Sequence, residues 1–302
     1  MTALVSVASH CDAATPKITK IGFTCHTLNN PFFVSMVNGI KAGAEAVGQK
    51  VVVTALSADN DLAKQTQQMD DMIAAGNEVI LIDAIDHTGI VPAIRRAKEK
   101  GIVVVAVNNS ADNADASIET DQVQAGFVAG EYVVNRLKGK GNVIIITDDP
   151  VSAVVGRVGG FKKALEGNPG ITILSDNQNA KGLRDLGYNV MNDLLTAFPK
   201  IDAVFCINDP EALGAELAIR QAKRSAEMFC VGIDGSPEAV SGLKDPNSIF
   251  AATSAQDPYK MGFDGVKIAW EIMNGNSPKE TYILMPTTLI TRENVGGYEG
   301  WQ

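Results

Sequence analysis

The chain has 302 residues, of which 45% are hydrophobic and 20% charged, and its formal net charge is −9 at pH 7. This length allows two domains, each with its own hydrophobic core. The acidic balance argues against a nucleic-acid partner, which would favour a basic surface, and no apolar run reaches the roughly 18 residues of a membrane span.

The first 17 residues differ in character from the rest of the chain. Residues 3–8 are small and apolar, and Ala13-Ala14-Thr15-Pro16 is typical of a signal cleavage region. We therefore expect residues 1–17 to be the remnant of an export signal or a disordered tail. An exported protein of this kind would be periplasmic.

The stretch 21–33 predicts a buried first strand, a sharp polar turn and a helix that begins at Pro31. Proline suits the first helical position because its missing N–H is no loss there. The turn brings Asn30, Phe32 and Phe33 together at the carboxyl end of a strand, where open α/β sheets bind ligands. An amide beside two aromatic rings suits a small, flat, hydroxylated molecule.

An apolar strand, a polar residue at its end and a helix recur through the first half of the chain. Asp83 follows the third predicted strand, and Asn108 and Asn109 follow the fourth. Four strands connected by three helices predict a parallel sheet covered by helices on both faces. After the first unit, the predicted strands are 51–56, 79–82 and 102–107, and the predicted helices are 62–73 and 90–100.

The same pattern starts again with a helix from Asp121 to about Lys138. Arg157 lies one turn into a later predicted helix, and Asn208 and Asp234 each follow an apolar strand. The predicted strands of this half are 142–146, 171–174, 203–207 and 229–233, and the predicted helices are 153–166, 185–198 and 211–224.

The last part of the chain is too short for a third domain. It comprises a strand at 250–255, Gln256, a helix at 258–274 and one strand at 282–289, so it must join an existing sheet. The fold class is therefore α/β, with two doubly wound parallel-sheet lobes joined by a multi-strand hinge around a central cleft. The predicted lobes are 18–121 plus 257–286 at the N-terminal side and 122–256 plus 287–302 at the C-terminal side.

Polar residues at the ends of strands have two interpretations. Asn and Asp often occur there only because they cap the next helix. Alternatively, amides, carboxylates and a guanidinium that meet at one cleft can bind the hydroxyl groups of a ligand. The recurrence of such residues in both halves favours the second interpretation.

Signals for catalysis are poor. The three histidines are scattered, and Cys25 and His26 are adjacent on a strand, so their side chains point to opposite faces. His26 is interpreted as a strand-end residue. Cys25, Cys206 and Cys230 lie in apolar strands, which is typical of small buried hydrophobes rather than of a disulfide or a metal site. We expect no enzyme activity, cofactor or metal.

Four motifs together resemble the ribose-binding protein family, the periplasmic solute-binding proteins of sugar ABC transporters, which share a core with LacI-type repressors. The resemblance covers about 18–291 and implies the type I periplasmic binding protein fold, three hinge crossings and an enclosed sugar. By position it implies ligand contacts from Asn30, Phe32, Phe33, Arg157, Asn208, Asp234 and Gln256. The motifs are Leu28-Asn29-Asn30-Pro31-Phe32-Phe33, Arg157-x-x-Gly160-Phe161, Asn208-Asp209-x-x-Ala212-Leu213-Gly214 and Val231-Gly232-Ile233-Asp234-Gly235.

The chain departs from the ribose binder at three places. Asp83 stands where the family has an asparagine, and Asn108-Asn109 stands where it has Asp-Arg. Gly182 stands near the place of an aromatic residue contributed by the second lobe. Loss of the bidentate arginine and of one ring favours a related monosaccharide or a linear sugar alcohol over ribose. Asp83, Asn108 and Asn109 complete the predicted ligand-binding set.

These observations predict a monomeric solute-binding protein that captures a monosaccharide or sugar alcohol and delivers it to an ABC transporter permease. A first alternative is the sensing core of a LacI-type repressor without its DNA-binding domain, since only about 17 residues precede the first strand. A second alternative is an enzyme on a similar two-lobed frame, which would need a catalytic set that we do not find.

Overall fold

Two six-stranded sheets form the framework of the computed structural model, which describes residues 18–47, 50–298 and 300–301. The segment 1–17, with its predicted signal remnant, lies outside the described residues. In chain order the strands are β1 Lys20–Cys25, β2 Val52–Ser57, β3 Val79–Ile82, β4 Val103–Val107, β5 Ala116–Thr120, β6 Lys140–Thr147, β7 Gly170–Asn179, β8 Ala203–Cys206, β9 Phe229–Asp234, β10 Phe250–Ala255, β11 Tyr282–Met285 and β12 Thr288–Thr291. The helices are α1 Pro31–Val47, α2 Leu62–Ala74, α3 Val91–Glu99, α4 Gln122–Leu137, α5 Ser152–Leu165, α6 Arg184–Ala197, α7 Asp209–Gln221, α8 Pro237–Lys244 and α9 Pro258–Met273.

The first sheet is fully parallel and has the strand order β11-β5-β4-β3-β1-β2. Its central strands read Val-Ile-Leu-Ile in β3 and Val-Val-Val-Ala-Val in β4, and every residue of both strands is buried. Such continuous apolar runs fit a sheet that helices cover on both faces. Two separate hydrophobic clusters, one on each face, form the core of this lobe.

The second sheet repeats this arrangement with the order β12-β10-β9-β8-β6-β7. It is parallel except for β12, which runs antiparallel to β10 at its edge. Two further hydrophobic clusters cover its faces. The predicted fold class, with two doubly wound lobes, is confirmed.

The chain passes between the two sheets three times. It leaves the first sheet after β5, returns after β10 and crosses again between β11 and β12. The helix after each of the first two crossings packs in the lobe it enters: α4 on α5, and α9 on α1. Three parallel connections at one edge form a hinge that permits closure and opposes sliding. The lobe boundaries at 121/122, 256/257 and 286/287 remain our proposed division.

Two predicted elements differ from the structure. The single strand predicted at 282–289 is wrong, because the chain forms β11 in the first sheet and β12 in the second. Pro286 lies between them and cannot donate a ladder hydrogen bond, which favours a break there. The strand β5 and the helix α8 were not predicted. The strand is short and half polar, and the helix follows a Ser-Pro turn whose Ser236 side chain accepts from the N–H of Ala239 at 3.1 Å.

Candidate ligand-binding cleft

A cavity of about 70 Å³ lies between the lobes, at the carboxyl ends of both sheets. At roughly 10–15 Å³ for each water molecule, this space holds about five waters or one small organic molecule. Nine of the ten predicted ligand-binding residues line it, and Asp83 does not. The nine are Asn30, Phe32, Phe33, Asn108, Asn109, Arg157, Asn208, Asp234 and Gln256.

An aromatic wall forms the first-lobe side of the cavity. Asn30 Oδ1 accepts from the N–H of Phe32 at 3.0 Å and so fixes the start of α1. The rings of Phe32 and Phe33 meet edge to face, with centroids 5.4 Å apart and planes at 85°. The ring of His26 lies nearly parallel to that of Phe33, at 6.3 Å and 11°. The wall offers apolar faces for the C–H groups of a ligand.

Asp83 lies behind this wall and does not line the cavity, and its predicted ligand contact stays a prediction. Its carboxylate is fully buried and accepts four hydrogen bonds within the first lobe. Oδ2 accepts from His26 Nδ1 at 2.5 Å and from the His26 N–H at 3.2 Å. Oδ1 accepts from Asn108 Nδ2 at 3.0 Å and Asn109 Nδ2 at 2.8 Å. These donors surround the carboxylate on the protein side.

The two asparagines held by Asp83 have different roles. Asn109 Oδ1 accepts from the N–H of Ala153 at 3.2 Å and from Ser152 Oγ at 3.3 Å, both in the second lobe. These bonds cross the cleft, so the structure shows the lobes in contact. Asn108 has a left-handed backbone, with φ of 67°, and its buried Oδ1 has no hydrogen-bond partner among the described residues. That oxygen is an acceptor available to a ligand.

Arg157 is the main cation of the second-lobe side. Its Nε donates to Gln122 Oε1 at 2.8 Å and its Nη1 to the carbonyl of Ile207 at 2.9 Å. The helix that carries it packs closely on α4: a Cβ atom at Gly126 would lie 1.9 Å from the Arg157 carbonyl oxygen. Within the described part of the chain, Nη2 makes no hydrogen bond. The guanidinium is therefore held rigidly and keeps one nitrogen for a ligand.

Asp234 and Gln256 form a linked acceptor and donor next to Arg157. Asp234 Oδ1 accepts from Gln256 Nε2 at 2.8 Å and lies 3.9 Å from Arg157 Nη1. Burial raises the pKa of Asp234 to about 6, and Arg157 opposes that rise. The residue also has φ of 142°, a strained backbone for a side chain other than glycine. Such strain is typical of functional positions.

Asn208 both caps a helix and lines the cavity, which are the two interpretations of a strand-end asparagine. Its Oδ1 accepts from the N–H of Glu211 at 2.9 Å and so caps α7. Its Nδ2 donates to the carbonyl of Gly182 at 3.0 Å. The side chain nevertheless lines the cavity. A cap and a ligand contact are therefore compatible at this residue.

Several lining residues were not predicted as ligand contacts. His26 was interpreted as a strand-end residue, although it follows β1 directly in the turn that carries Asn30. Asp148 directly follows β6, and burial raises its pKa. Gly182 lines the cavity with φ of 65°, and a Cβ there would lie 3.0 Å from Asn208 Nδ2. Among the described second-lobe residues that line the cavity, none is aromatic.

Metal ligation and membrane insertion find no support in the described ranges. Those residues contain no group of three or more His, Cys, Asp or Glu side chains placed to hold a metal ion. No helix among them is long and apolar enough to cross a bilayer. Cys25, Cys206 and Cys230 are buried free thiols, and burial raises the pKa of each.

Comparison with known proteins places this geometry in context. The periplasmic binding protein domain profile matches residues 21–277. The ribose import binding protein of Salmonella typhimurium is 34% identical over 266 residues, 87% of each chain. The xylitol-binding protein of Mycolicibacterium smegmatis is 31% identical over 290 residues, 94% of this chain and 80% of that one. A solved ABC transporter solute binding protein from Bacillus halodurans, with bound myo-inositol, has a TM-score of 0.85 at 27% identity, covering 94% of this chain and 98% of that one.

Proposed function

The chain belongs to the periplasmic binding protein family, and from that premise we propose that it binds one small sugar or sugar alcohol in the cleft and delivers it to an ABC transporter permease. It is a sugar-binding solute-binding protein, as its relatives are. One observation carries the ligand proposal: the aromatic wall of the first lobe faces Arg157, Asp234 and Gln256 of the second lobe across one cavity.

The charges in the cleft support a neutral ligand. The cations Arg157 and Lys181 line the same cavity as the carboxyl groups of Asp148 and Asp234. A sugar acid or an amine would leave one side of this set without a partner, and an unpaired buried charge is costly. A hydroxyl group both donates and accepts, so it can bond to either sign of charge.

The departures from the ribose binder support a related monosaccharide or a linear sugar alcohol. Asn109 uses its Nδ2 on Asp83 and its Oδ1 on Ser152 and Ala153, so it cannot supply the two parallel donors of an arginine. Gly182 supplies no second ring opposite Phe33. A ligand held by one aromatic wall does not need two flat ring faces, which suits an open-chain polyol. The xylitol-binding relative is consistent with this choice.

Closure of the lobes supplies the mechanism of capture. Asn109 bonds to the start of α5 across the cleft, and the N–H of Ser110 donates to Ser152 Oγ at 3.3 Å. A ligand that touches both lobes only in the closed form shifts the equilibrium towards closure. The closed form is the state that we propose the permease recognises.

The relatives favour this function over the two alternatives. The proteins reported above are import or solute-binding proteins, which supports a transport role over a repressor core. Family members are binding proteins rather than enzymes. We extend this to the chain itself: it works outside the cytoplasm as a monomer, without catalytic activity and without a nucleic-acid partner.

Isothermal titration against D-ribose, D-allose, xylitol, myo-inositol and a free amino acid tests the proposal. We expect saturable 1:1 binding of at least one polyhydroxylated compound and none of the amino acid. If D-ribose binds more tightly than every other sugar and polyol, the ligand class that we propose is wrong. If no sugar or polyol binds, the proposed function itself is wrong.

A further inference from the structure

One buried carboxylate organises three side chains of the first lobe. Asp83 is 0% exposed, and its two oxygens accept from His26, Asn108 and Asn109. The oxygens of an ionised carboxylate can only accept hydrogen bonds. Each of its three side-chain partners must therefore present a donor towards Asp83. This requirement determines which atoms of the three partners remain for other hydrogen bonds.

For His26, the consequence is a single orientation of the ring. Nδ1 must donate to Asp83 Oδ2, at 2.5 Å, so Nε2 is the nitrogen left over. Stacking on Phe33 holds the plane of the ring. The side chain is 17% exposed and lines the cavity, and Nε2 has no hydrogen-bond partner in the described part of the chain. The free nitrogen is thus a polar group beside the aromatic rings of the wall.

Asn108 supplies a second free atom beside it. Its Nδ2 is committed to Asp83, so Oδ1 is the atom left over. This oxygen is buried and has no partner among the described residues, although the residue lines the cavity. A buried acceptor without a partner is costly and points to a group that a ligand supplies.

We infer that His26 Nε2 and Asn108 Oδ1 are direct ligand contacts that determine specificity for neighbouring hydroxyl groups, and that Asp83 is the positioning residue that sets both. This inference rests on the proposed function. The pair replaces the missing arginine of the first lobe: one hydroxyl group bonds to Nε2, and an adjacent one donates to Oδ1.

The charge of His26 strengthens its role. Burial lowers the pKa of His26, but the charge and the hydrogen bond of Asp83, together with other carboxyl groups, raise it above its ordinary value. Asp148 and Asp149, from the other lobe, act in the same direction. Phe33, whose ring stacks on that of His26, is neutral, and the cation Lys181 also lines the cavity. A protonated ring donates from Nε2 to a hydroxyl oxygen, and hydrogen bonds from charged donors are stronger than neutral ones.

The test uses the full chain and the compound of the titration panel that binds the wild type most tightly. His26→Phe keeps a ring against Phe33 and removes both nitrogens, and His87→Phe is the matched control at an exposed histidine of the same lobe. We expect Kd to rise about tenfold to 150-fold in His26→Phe, the range for one lost hydrogen bond to a charged group, and to stay within twofold in the control. Arg157→Met, measured alongside, reports whether the cleft binds the compound at all.

Nitrogen NMR of the imidazoles separates positioning from mere structural support. On ligand addition we expect the Nε2 resonance of His26 to shift while that of His87 does not. In Asp83→Asn we expect a lower His26 pKa and a higher Kd, and a smaller combined loss in the double variant with His26→Phe than the two single losses predict. A structural role alone would lower the melting temperature and leave Kd unchanged.

Two results would overturn the inference. Wild-type affinity in His26→Phe, with binding lost in Arg157→Met, would leave the proposed function standing and remove His26 from the site. An unchanged His26 pKa in Asp83→Asn would remove the positioning role of Asp83. Failure of every panel compound to bind the wild type is a different result, because it would overturn the proposed function first.

Discussion

Replacement of Arg157 by methionine is expected to abolish most ligand affinity while the protein stays folded. The side chain lines the cavity and has two hydrogen bonds inside the protein, and its Nη2 has no partner among the described residues. One charge-assisted bond to a hydroxyl group is worth about 1.5–3 kcal/mol, which corresponds to a rise in Kd of roughly tenfold to 150-fold. Methionine fills most of the same volume, so the packing of α5 on α4 should survive.

The same replacement has a calculable effect on stability. Loss of the bonds to Gln122 and Ile207 costs about 1 kcal/mol each, so the free energy of unfolding should fall by about 2 kcal/mol. Arg157 also opposes the raised pKa of Asp234, so that carboxyl group should take up a proton more readily in the variant. Ligand-free Arg157→Met should therefore melt several degrees lower.

Isothermal titration and thermal melting of Arg157→Met check both expectations. Arg220→Met is the matched control, because Arg220 is exposed on α7 of the same lobe. The control should bind and melt like the wild type. A folded Arg157→Met protein whose Kd lies within twofold of the wild-type value would refute the placement of Arg157 in the site.

Three further predictions concern single residues around the cleft. Gly182→Ala should weaken ligand binding at least fivefold, because its Cβ would lie 3.0 Å from Asn208 Nδ2. Gly167→Ala is the control: it has similar backbone strain, at φ of 79°, with no atom within 4 Å, and should leave the titrated Kd unchanged. Equal Kd values in the two variants would contradict this prediction. Asp234 keeps a proton in the folded protein up to about pH 6, above its ordinary value of 3.8, so its contribution to ligand-free stability should fall by up to about 3 kcal/mol as the pH rises from 4 to 6. Urea unfolding of Asp234→Asn should show a flatter profile over that window, and an unchanged profile would count against the assignment. Trp301→Phe removes the indole N–H that donates to the Asp234 carbonyl at 2.7 Å while keeping a ring near Phe32, so titration should show a severalfold higher Kd. Wild-type affinity in this variant would show that the bond does not help to position Asp234 for the ligand.

The fold could be predicted from the sequence wherever a strand is buried on both faces of its sheet. In a long chain of alternating strands and helices, the continuous apolar runs of β3 and β4 indicate parallel strands that helices cover on both faces of the sheet. The edges of the sheets carry weaker signals. The split of 282–289 into β11 and β12 depends on which sheet each half joins, and that pairing is a tertiary contact that no local pattern encodes.

The sequence predicts which residues line the candidate site, but it does not predict the hydrogen bonds between them. The polar residues at strand ends do converge, because parallel strands end at one edge of a sheet. The role of Asp83 could not be derived this way, because its donors come from the turn after β1 and from the segment after β4 and meet it only in three dimensions. His26 was missed for the same reason: its neighbour in space is a carboxylate 57 positions along the chain.

The most direct test is a crystal structure of the protein with the tightest-binding sugar or polyol of the panel. We predict one ligand enclosed between the lobes, with its carbon skeleton against Phe33 and its hydroxyl groups within hydrogen-bond distance of Arg157 and Asp234. A ligand bound outside this cavity, or to one lobe alone, would contradict the account.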